Sequence, residues 1–511
     1  MRTLTLDGRS LTLAHLKSVL AGEEVRLVVA KPAMAEVKRA HAIVARHVAQ
    51  GDVVYGLTTG FGKLKSVAIA QEDLAQLQEN LVVSHCVGVG EPLPTGIVRA
   101  AQVLRLNGLV RGRSGVSPAL VERLVAFFNL GFAPVVPAQG SVGASGDLAP
   151  LAHMAAAYLG HGSCEVGGLR MTAAAGLKKL KLAPVVLGAK EGLALINGTE
   201  IIKAIATEAV LRAENIAACS DAVAALSLEA LLGSLAPYAT RIAELKGHRG
   251  HHDTADNVRR ILKRSQVLKS HADCDRVQDP YSLRCVPQIH GATKTALAHV
   301  REVLALELNS VTDNPLVFPE DGTVVSAGQF HGQPLSIPLD YLAASLATVG
   351  NVSERRIEQL VNPDLSRLPA FLTPQPGLNS GMMIVQVAAA SLASENKSLA
   401  HPASVDTIPT SANQEDHVSM GPIAARKALQ IARHVETILA MEWLCAAQAR
   451  EFHRDLRAGD GAEAAHALLR TRVDPLIGDR WLHDDIEAAR SMVASGELRA
   501  AVERAVGPLR A

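Results

Sequence analysis

A mainly α protein built on long buried helices is what this sequence predicts, and three observations carry the expectation. The first is the run from Ile201, IIKAIATEAVLRAENIAACSDAVAALSLEALLGSLA, which is Ala- and Leu-rich and reads as one helix up to Pro237. Comparable stretches follow at Ala292 to Leu308, Leu339 to Leu360, Met382 to Leu399 and Ile423 to Phe452. The third is that some of these faces, QVAAASLAS for example, are apolar nearly all round, as in helices covered on several sides. Packing between subunits is the preferred source of that covering, ahead of a large monomeric core.

The chain before this region is built differently. Gly56, Gly60, Gly62, Pro92, Pro94, Pro134 and Pro137 punctuate short periodic segments, so this part is expected to hold the loops. Two domains are therefore expected, residues 1–199 carrying loops and 200–511 carrying the long helices.

Composition bounds the function. With 511 residues, 48% hydrophobic, and a mean hydropathy of +0.17, several long helices can be buried. A net charge of +1, from 51 basic and 50 acidic residues, gives no electrostatic case for a nucleic acid or membrane partner. Cys86, Cys164, Cys219, Cys274, Cys285 and Cys445 lack CxxC spacing and fit a reduced compartment. The N-terminus has no unbroken apolar core of a signal peptide, and no apolar run approaches the ~20 residues of a membrane span. A cytoplasmic protein is expected.

The chemistry concentrates in GSVGASGDLAPLAHM. In Ala144-Ser145-Gly146 the glycine lacks a Cβ, so its nitrogen can swing onto the Ala144 carbonyl carbon. Cyclisation with loss of two waters, one taking the Ser145 hydroxyl, leaves a five-membered ring with an exocyclic methylene. Such a ring is an electron sink, a role usually filled by an added cofactor. Taken alone, GASGD is also an ordinary turn before a helix. It is not a serine-hydrolase elbow, because Asp147 stands where G-x-S-x-G requires glycine.

The remaining motifs decide between these readings. YGLTTGFG (Tyr55 to Gly62), NLVVSHCVGVG, GSVGASGDLAPLAHM, KEGLALINGT, VQDPYSLRC, TDNPLVF and SANQEDHVSMG (Ser411 to Gly421) run in order along nearly the whole chain. In these the chain resembles the methylidene-imidazolone ammonia-lyase and aminomutase family, and its details look most like the histidine branch. The resemblance implies an L-aspartase/fumarase-like fold with a long central helical bundle, a homotetramer with shared active sites, and a 4-methylidene-imidazol-5-one (MIO) formed autocatalytically from Ala144, Ser145 and Gly146 with no external cofactor. The implied reaction removes ammonia from L-histidine to leave trans-urocanate.

That reaction sets three tasks: making the amine a leaving group, removing a weakly acidic β-proton, and holding the substrate. The ring serves the first. Tyr55 is the base that the resemblance implies, and it is one of only five tyrosines; a phenol titrates near 10 and would have to be perturbed to serve. For the third, Arg284 offers a planar fork for the α-carboxylate, and Gln278 and Tyr281 share its motif. Asn197, in LINGT, can donate to the carboxylate or the amine. His85 and Glu415 are expected to meet the imidazole, with Phe330 as a wall. Glu415 also belongs with Tyr55 and Tyr281 among the implied catalytic groups. The phenylalanine and tyrosine branches and the aminomutases usually have NQDVVS in place of NQEDHVS, so a tyrosine or phenylalanine substrate is the alternative; an inactive helical scaffold is a second.

Several features stand apart. Gln329 replaces a usual Asn and Thr58 another, without removing a residue with a chemical role. YGLTTGFGK misses a phosphate loop, having five residues between Gly56 and Gly62 and Leu64 after Lys63. His248, His251, His252, Asp253 and Asp256 are close in sequence, but Gly247 and Gly250 interrupt them, so a solvated loop and no metal site are expected. His290 and His401 read as isolated and receive no role.

Overall fold

The Ala- and Leu-rich runs fold as the helices Glu200–Ala230, Val286–Glu307, Gln333–Val361, Met383–Leu399 and Gly421–Arg450. The computed structural model describes residues 2–60, 62, 67, 69–272 and 276–511. Lys63, Leu64 and Cys274 lie outside the described residues. The first helix stops short of Pro237: Leu232 adopts φ 53°, and Gly233 N–H donates to the Leu228 carbonyl at 2.8 Å, closing the end within the Leu-Leu-Gly sequence. No helix among the described residues is long and apolar enough to cross a membrane.

The chain divides into two compact units. The first comprises Met1–Glu208, Arg301–Leu339 and Pro402–Arg426, the second Ala209–Val300, Asp340–His401 and Lys427–Ala511. The expected boundary at Thr199 falls close to the Glu208 cut, and two later segments return to the first unit.

The first unit carries helices such as Lys31–Gln50 and Thr95–Leu109 beside short strands, so it is more helical than its turn residues lead one to expect. Arg2–Leu6 pairs in parallel with Val25–Val29, and Ala133–Pro134, Ser163–Val166 and Leu169–Thr172 form a small antiparallel sheet. Ala40, Val44, Leu57 and Val317 make a buried apolar cluster. Leu57 is fully buried in it, which fixes the backbone two residues beyond Tyr55.

Ionic contacts hold the interior of the second unit. Arg356 grips Glu442 through two hydrogen bonds of 2.6 and 2.8 Å, both side chains being fully buried, and Ser227 and Ser353 each donate to the same carboxylate at 2.6 Å. All the carboxylate's partners are thus internal, the condition for keeping a buried charge. A second cluster joins Asp221 to His290 at 2.9 Å and Lys294 at 2.6 Å, so His290 is not isolated. Lys294 and Asn257 both donate to the Arg510 carbonyl, which ties down the C-terminus.

The histidine-rich segment corrects the loop expectation. Arg249–Ile261 is a helix with His248 as its N-cap residue. Gly250 is tolerated there because it packs directly on Gly291, where an added Cβ would lie 2.1 Å from the Gly291 oxygen. Asp253 and Asp256 are paired with Arg510, Arg249, Arg259 and Arg260, and no histidine, cysteine or carboxylate group able to hold a metal occurs among the described residues. A Gly250→Ala change should therefore push two helix backbones apart and destabilise the protein by about 3 kcal/mol. Gly478→Ala, whose Cβ would meet only Asn379 Oδ1 at an ordinary contact distance of 3.6 Å, is the comparison; equal denaturation midpoints for the two would contradict the packing.

Candidate active site

A backbone contact places the tripeptide. Gly146 has φ 75° and bridges Gly198, and a Cβ on Gly146 would stand 2.0 Å from the Gly198 oxygen. Glycine is required there. Ser141 Oγ donates to the Gly146 carbonyl at 3.1 Å, Ser419 Oγ to the Gly143 carbonyl at 2.9 Å, and Met420 N–H to the Val142 carbonyl at 2.8 Å. Asn197 Nδ2 donates to the Ser145 carbonyl at 3.0 Å, while its buried Oδ1 has no hydrogen-bond partner among the described residues.

Asp147 supports this loop from beneath. Its N–H donates to the Gly198 carbonyl at 2.6 Å, and Oδ2 accepts from Ile201 and Ile202 N–H at 2.8 and 3.0 Å, in the first turn of the Glu200–Ala230 helix. Burial nevertheless wins over those donors and pushes its carboxyl up to about 8. Glu200, the first residue of that helix, goes the other way. Burial opposes its charge, but Arg105 at 2.8 Å and Lys203 at 3.4 Å outweigh burial and hold it down to about 2.

Glu415 reaches the tripeptide from a sharply reversed turn. Ser411, Ala412 and Asn413 take φ of 53°, 51° and 66°, three left-handed residues in a row, and Thr410 pairs with Glu415 through two backbone hydrogen bonds. Such conformations persist only where surrounding contacts over-determine them. Oε1 of Glu415 accepts from Ser145 Oγ at 2.9 Å and Oε2 from Thr410 Oγ1 at 2.7 Å.

His85 ends the Leu74–Ser84 helix. Its Nδ1 donates to the Leu81 carbonyl at 2.8 Å, so a neutral ring presents Nε2 as an acceptor. Tyr55 is half-buried, and burial raises its phenol above the usual value. The Glu415 charge adds to the rise, and a hydrogen bond from the Gly62 backbone opposes it. Thr58, the departure three residues after Tyr55, is structural: its hydroxyl donates to the Asp52 carbonyl at 2.6 Å and accepts from Val54 N–H.

These side chains converge. A cavity of about 510 Å³ is lined by Tyr55, His85, Ala144, Ser145, Asn197, Phe330 and Glu415. Gln278, Tyr281 and Arg284 belong to the second unit and do not line it. There Tyr281 is 70% exposed, with the Arg284 guanidinium 4.5 Å from its ring centroid. Sequence reasoning passed over His331, His417 and Asn314, which also line the cavity. The two imidazoles stack at 5.8 Å, and His331 Nε2 donates to the His417 carbonyl at 3.3 Å. All three lie within or beside motifs already singled out, so adjacency was the available signal.

The donor set fits a ring made from Ala144, Ser145 and Gly146. The nitrogen that must move carries no Cβ, the hydroxyl that must leave is hydrogen-bonded to a carboxylate, and the carbonyl between them has an amide donor.

Comparison with known proteins agrees. Residues 11–471 match the family described as aromatic amino acid lyase. The chain is 51% identical over 502 residues to histidine ammonia-lyase of Symbiobacterium thermophilum, covering 98% of this chain and 99% of the relative. The crystal structure of histidine ammonia-lyase from Trypanosoma cruzi superposes with a TM-score of 0.92 at 41% identity, covering 99% and 96% of the two chains. Tyrosine aminomutase from Streptomyces globisporus reaches a TM-score of 0.93 at 34% identity over 99% and 100%. Backbone shape therefore does not separate the substrates.

The Asp147 carboxyl makes a pH prediction. Its folded value of about 8 lies above the unfolded value of about 3.9. The folded state thus holds the proton more tightly, and stability falls as pH rises from about 4 to about 8, by at most about 1.4 kcal/mol per unit. Asp147→Asn cannot ionise. Its stability relative to the parent protein should climb across that window and level off above it; a difference independent of pH, measured by chemical denaturation, would show that the carboxyl is already ionised.

Proposed function

Because the chain belongs to the aromatic amino acid lyase family, we propose that it is an ammonia-lyase that converts L-histidine to trans-urocanate and ammonia, using an MIO ring formed from Ala144, Ser145 and Gly146. The observation that carries the substrate is the pairing of the Glu415 carboxylate with the His85 acceptor nitrogen in one cavity with Ser145. A neutral imidazole brings one N–H donor and an imidazolium two, one for each group, whereas a phenyl ring would leave both acceptors desolvated and unpaired.

When formed, the ring supplies the electrophilic carbon that makes the substrate amine a leaving group. The chain's own residues supply the rest. Asn197 Nδ2, already on the Ser145 carbonyl, draws electron density from that end of the tripeptide. Glu415 and His85 orient the substrate imidazole. Tyr55 accepts the β-proton as phenolate; because burial and Glu415 hold the phenol protonated, the rate should rise as alkaline pH increases the phenolate fraction.

The α-carboxylate needs a cationic partner, and no arginine or lysine lines the cavity among the described residues. Arg284, with Gln278 and Tyr281, fills that role from a second copy in a homotetramer with shared sites. The 70% exposure of Tyr281 and 99% exposure of Val277 support this, since both are apolar surface left uncovered in one chain. A cytoplasmic setting fits Cys86, Cys164, Cys219, Cys285 and Cys445, which are unpaired thiols.

Ultraviolet absorbance tests the reading directly. Purified protein should give urocanate from L-histidine and no conjugated acrylate from L-tyrosine or L-phenylalanine; product from either of those two would overturn the substrate. Intact mass should fall by two waters, and Ser145→Ala should abolish both that loss and turnover. Tyr55→Phe should keep the mass loss and cost on the order of 10²–10⁴-fold in kcat/KM.

A further inference from the structure

Two cavities meet at the tripeptide. Ser145 lines the larger one, and Gly146 lines a second of about 220 Å³; His85, Ala144, Leu148 and Glu415 border both. The polar lining of the second cavity comes from Glu415, Thr410, Ser141, Ser84 and His85, set among apolar groups such as Val87 and Val142. Among the described residues no lysine or arginine lines it.

This lining is one of acceptors. Each Glu415 oxygen takes one internal hydrogen bond and keeps a further lone pair, so the carboxylate can meet the imidazole at one oxygen and a cation at the other, while His85 Nε2 stays with the imidazole. A small cation is satisfied there, whereas a carboxylate beside Glu415 would be buried without a counter-charge. The reaction proposed above makes one product of each kind. Zwitterionic histidine gives the acrylate anion and NH4+, the proton from Cβ ending on the departing nitrogen, so atoms and charge balance.

We propose that the cavity bordered by Gly146, Thr410, Glu415 and His85 is an ammonium subsite, through which the cationic product parts from the anionic one. The inference rests on the ammonia-lyase reading for its physiological role, and on the lining for its chemistry. The two products separate by charge: the acrylate remains in the larger cavity and ammonium occupies the smaller.

Val87 allows a test away from the catalytic groups, because it is 65% exposed and lines only the second cavity. Val87→Lys brings an ammonium group of its own to the subsite, and Val87→Met has similar reach without the charge. With the full-length mature enzyme run in reverse, V87K should raise the KM for ammonium about tenfold over V87M, the scale of one like charge in a partly buried site. The KM for urocanate should stay within about twofold of V87M. Equal ammonium KM values in the two variants, or equal rises for both substrates, would overturn the subsite. The same pair titrated with ¹⁵N-ammonium chloride needs no turnover. Line broadening with V87M but not V87K supports the subsite even if no urocanate forms, an outcome that would sink only the histidine reading; the same broadening in both overturns the subsite.

Discussion

The contact between Gly146 and Gly198 is the constraint on which the site depends. Two backbones meet with no room for a Cβ, and their meeting brings GASGD against LINGT, segments separated by half a hundred residues in the chain. From that point Asn197 reaches the Ser145 carbonyl and Asp147 reaches the first turn of the Glu200–Ala230 helix. The tripeptide is thus clamped from both sides before any chemistry begins. Preorganisation of this kind is what a reactive group assembled from main-chain atoms requires, since a mobile loop would scatter the reacting atoms.

Charge around the clamp is arranged by depth. Glu200 is buried but surrounded by Arg105, Lys203 and the Thr312 hydroxyl, so it stays ionised. Asp147, with backbone donors alone at Oδ2 and no hydrogen-bond partner at Oδ1 among the described residues, is pushed towards its neutral form by burial. Glu415 lies nearer the cavity and spends its oxygens on hydroxyls, which a substrate can displace at small cost. The gradient runs from fixed ion pairs at the back to exchangeable hydrogen bonds at the front. Tyr55 sits at the front, and burial, with a smaller contribution from the Glu415 charge, makes its proton hard to remove in the free chain.

Much of the site was legible from residue types. Ser145 between two small residues, the motif tyrosine, and Glu415 and His85 all line one cavity as expected. The histidine cluster was misread because Gly250 suggests a break, whereas in the fold its missing side chain lets Gly291 approach within a tightly packed helix. His290 looked isolated because its partner Asp221 lies far away in sequence. The Glu200 helix was read too long, since nothing in a Leu-Leu-Gly sequence declares that Leu232 will turn left-handed.

By itself the sequence determined the helical class and the identity of the residues gathered around Ser145, because these follow from local periodicity and from side-chain chemistry that motif context narrows. Tertiary structure alone decided which of those groups meet. It joined Glu415 to Ser145 across 270 residues, left Gln278, Tyr281 and Arg284 outside the cavity, and opened a second cavity beside Gly146. The reason is physical: burial, contact and the balance between desolvation and ion pairing depend on the distance between groups in space, which chain order does not specify.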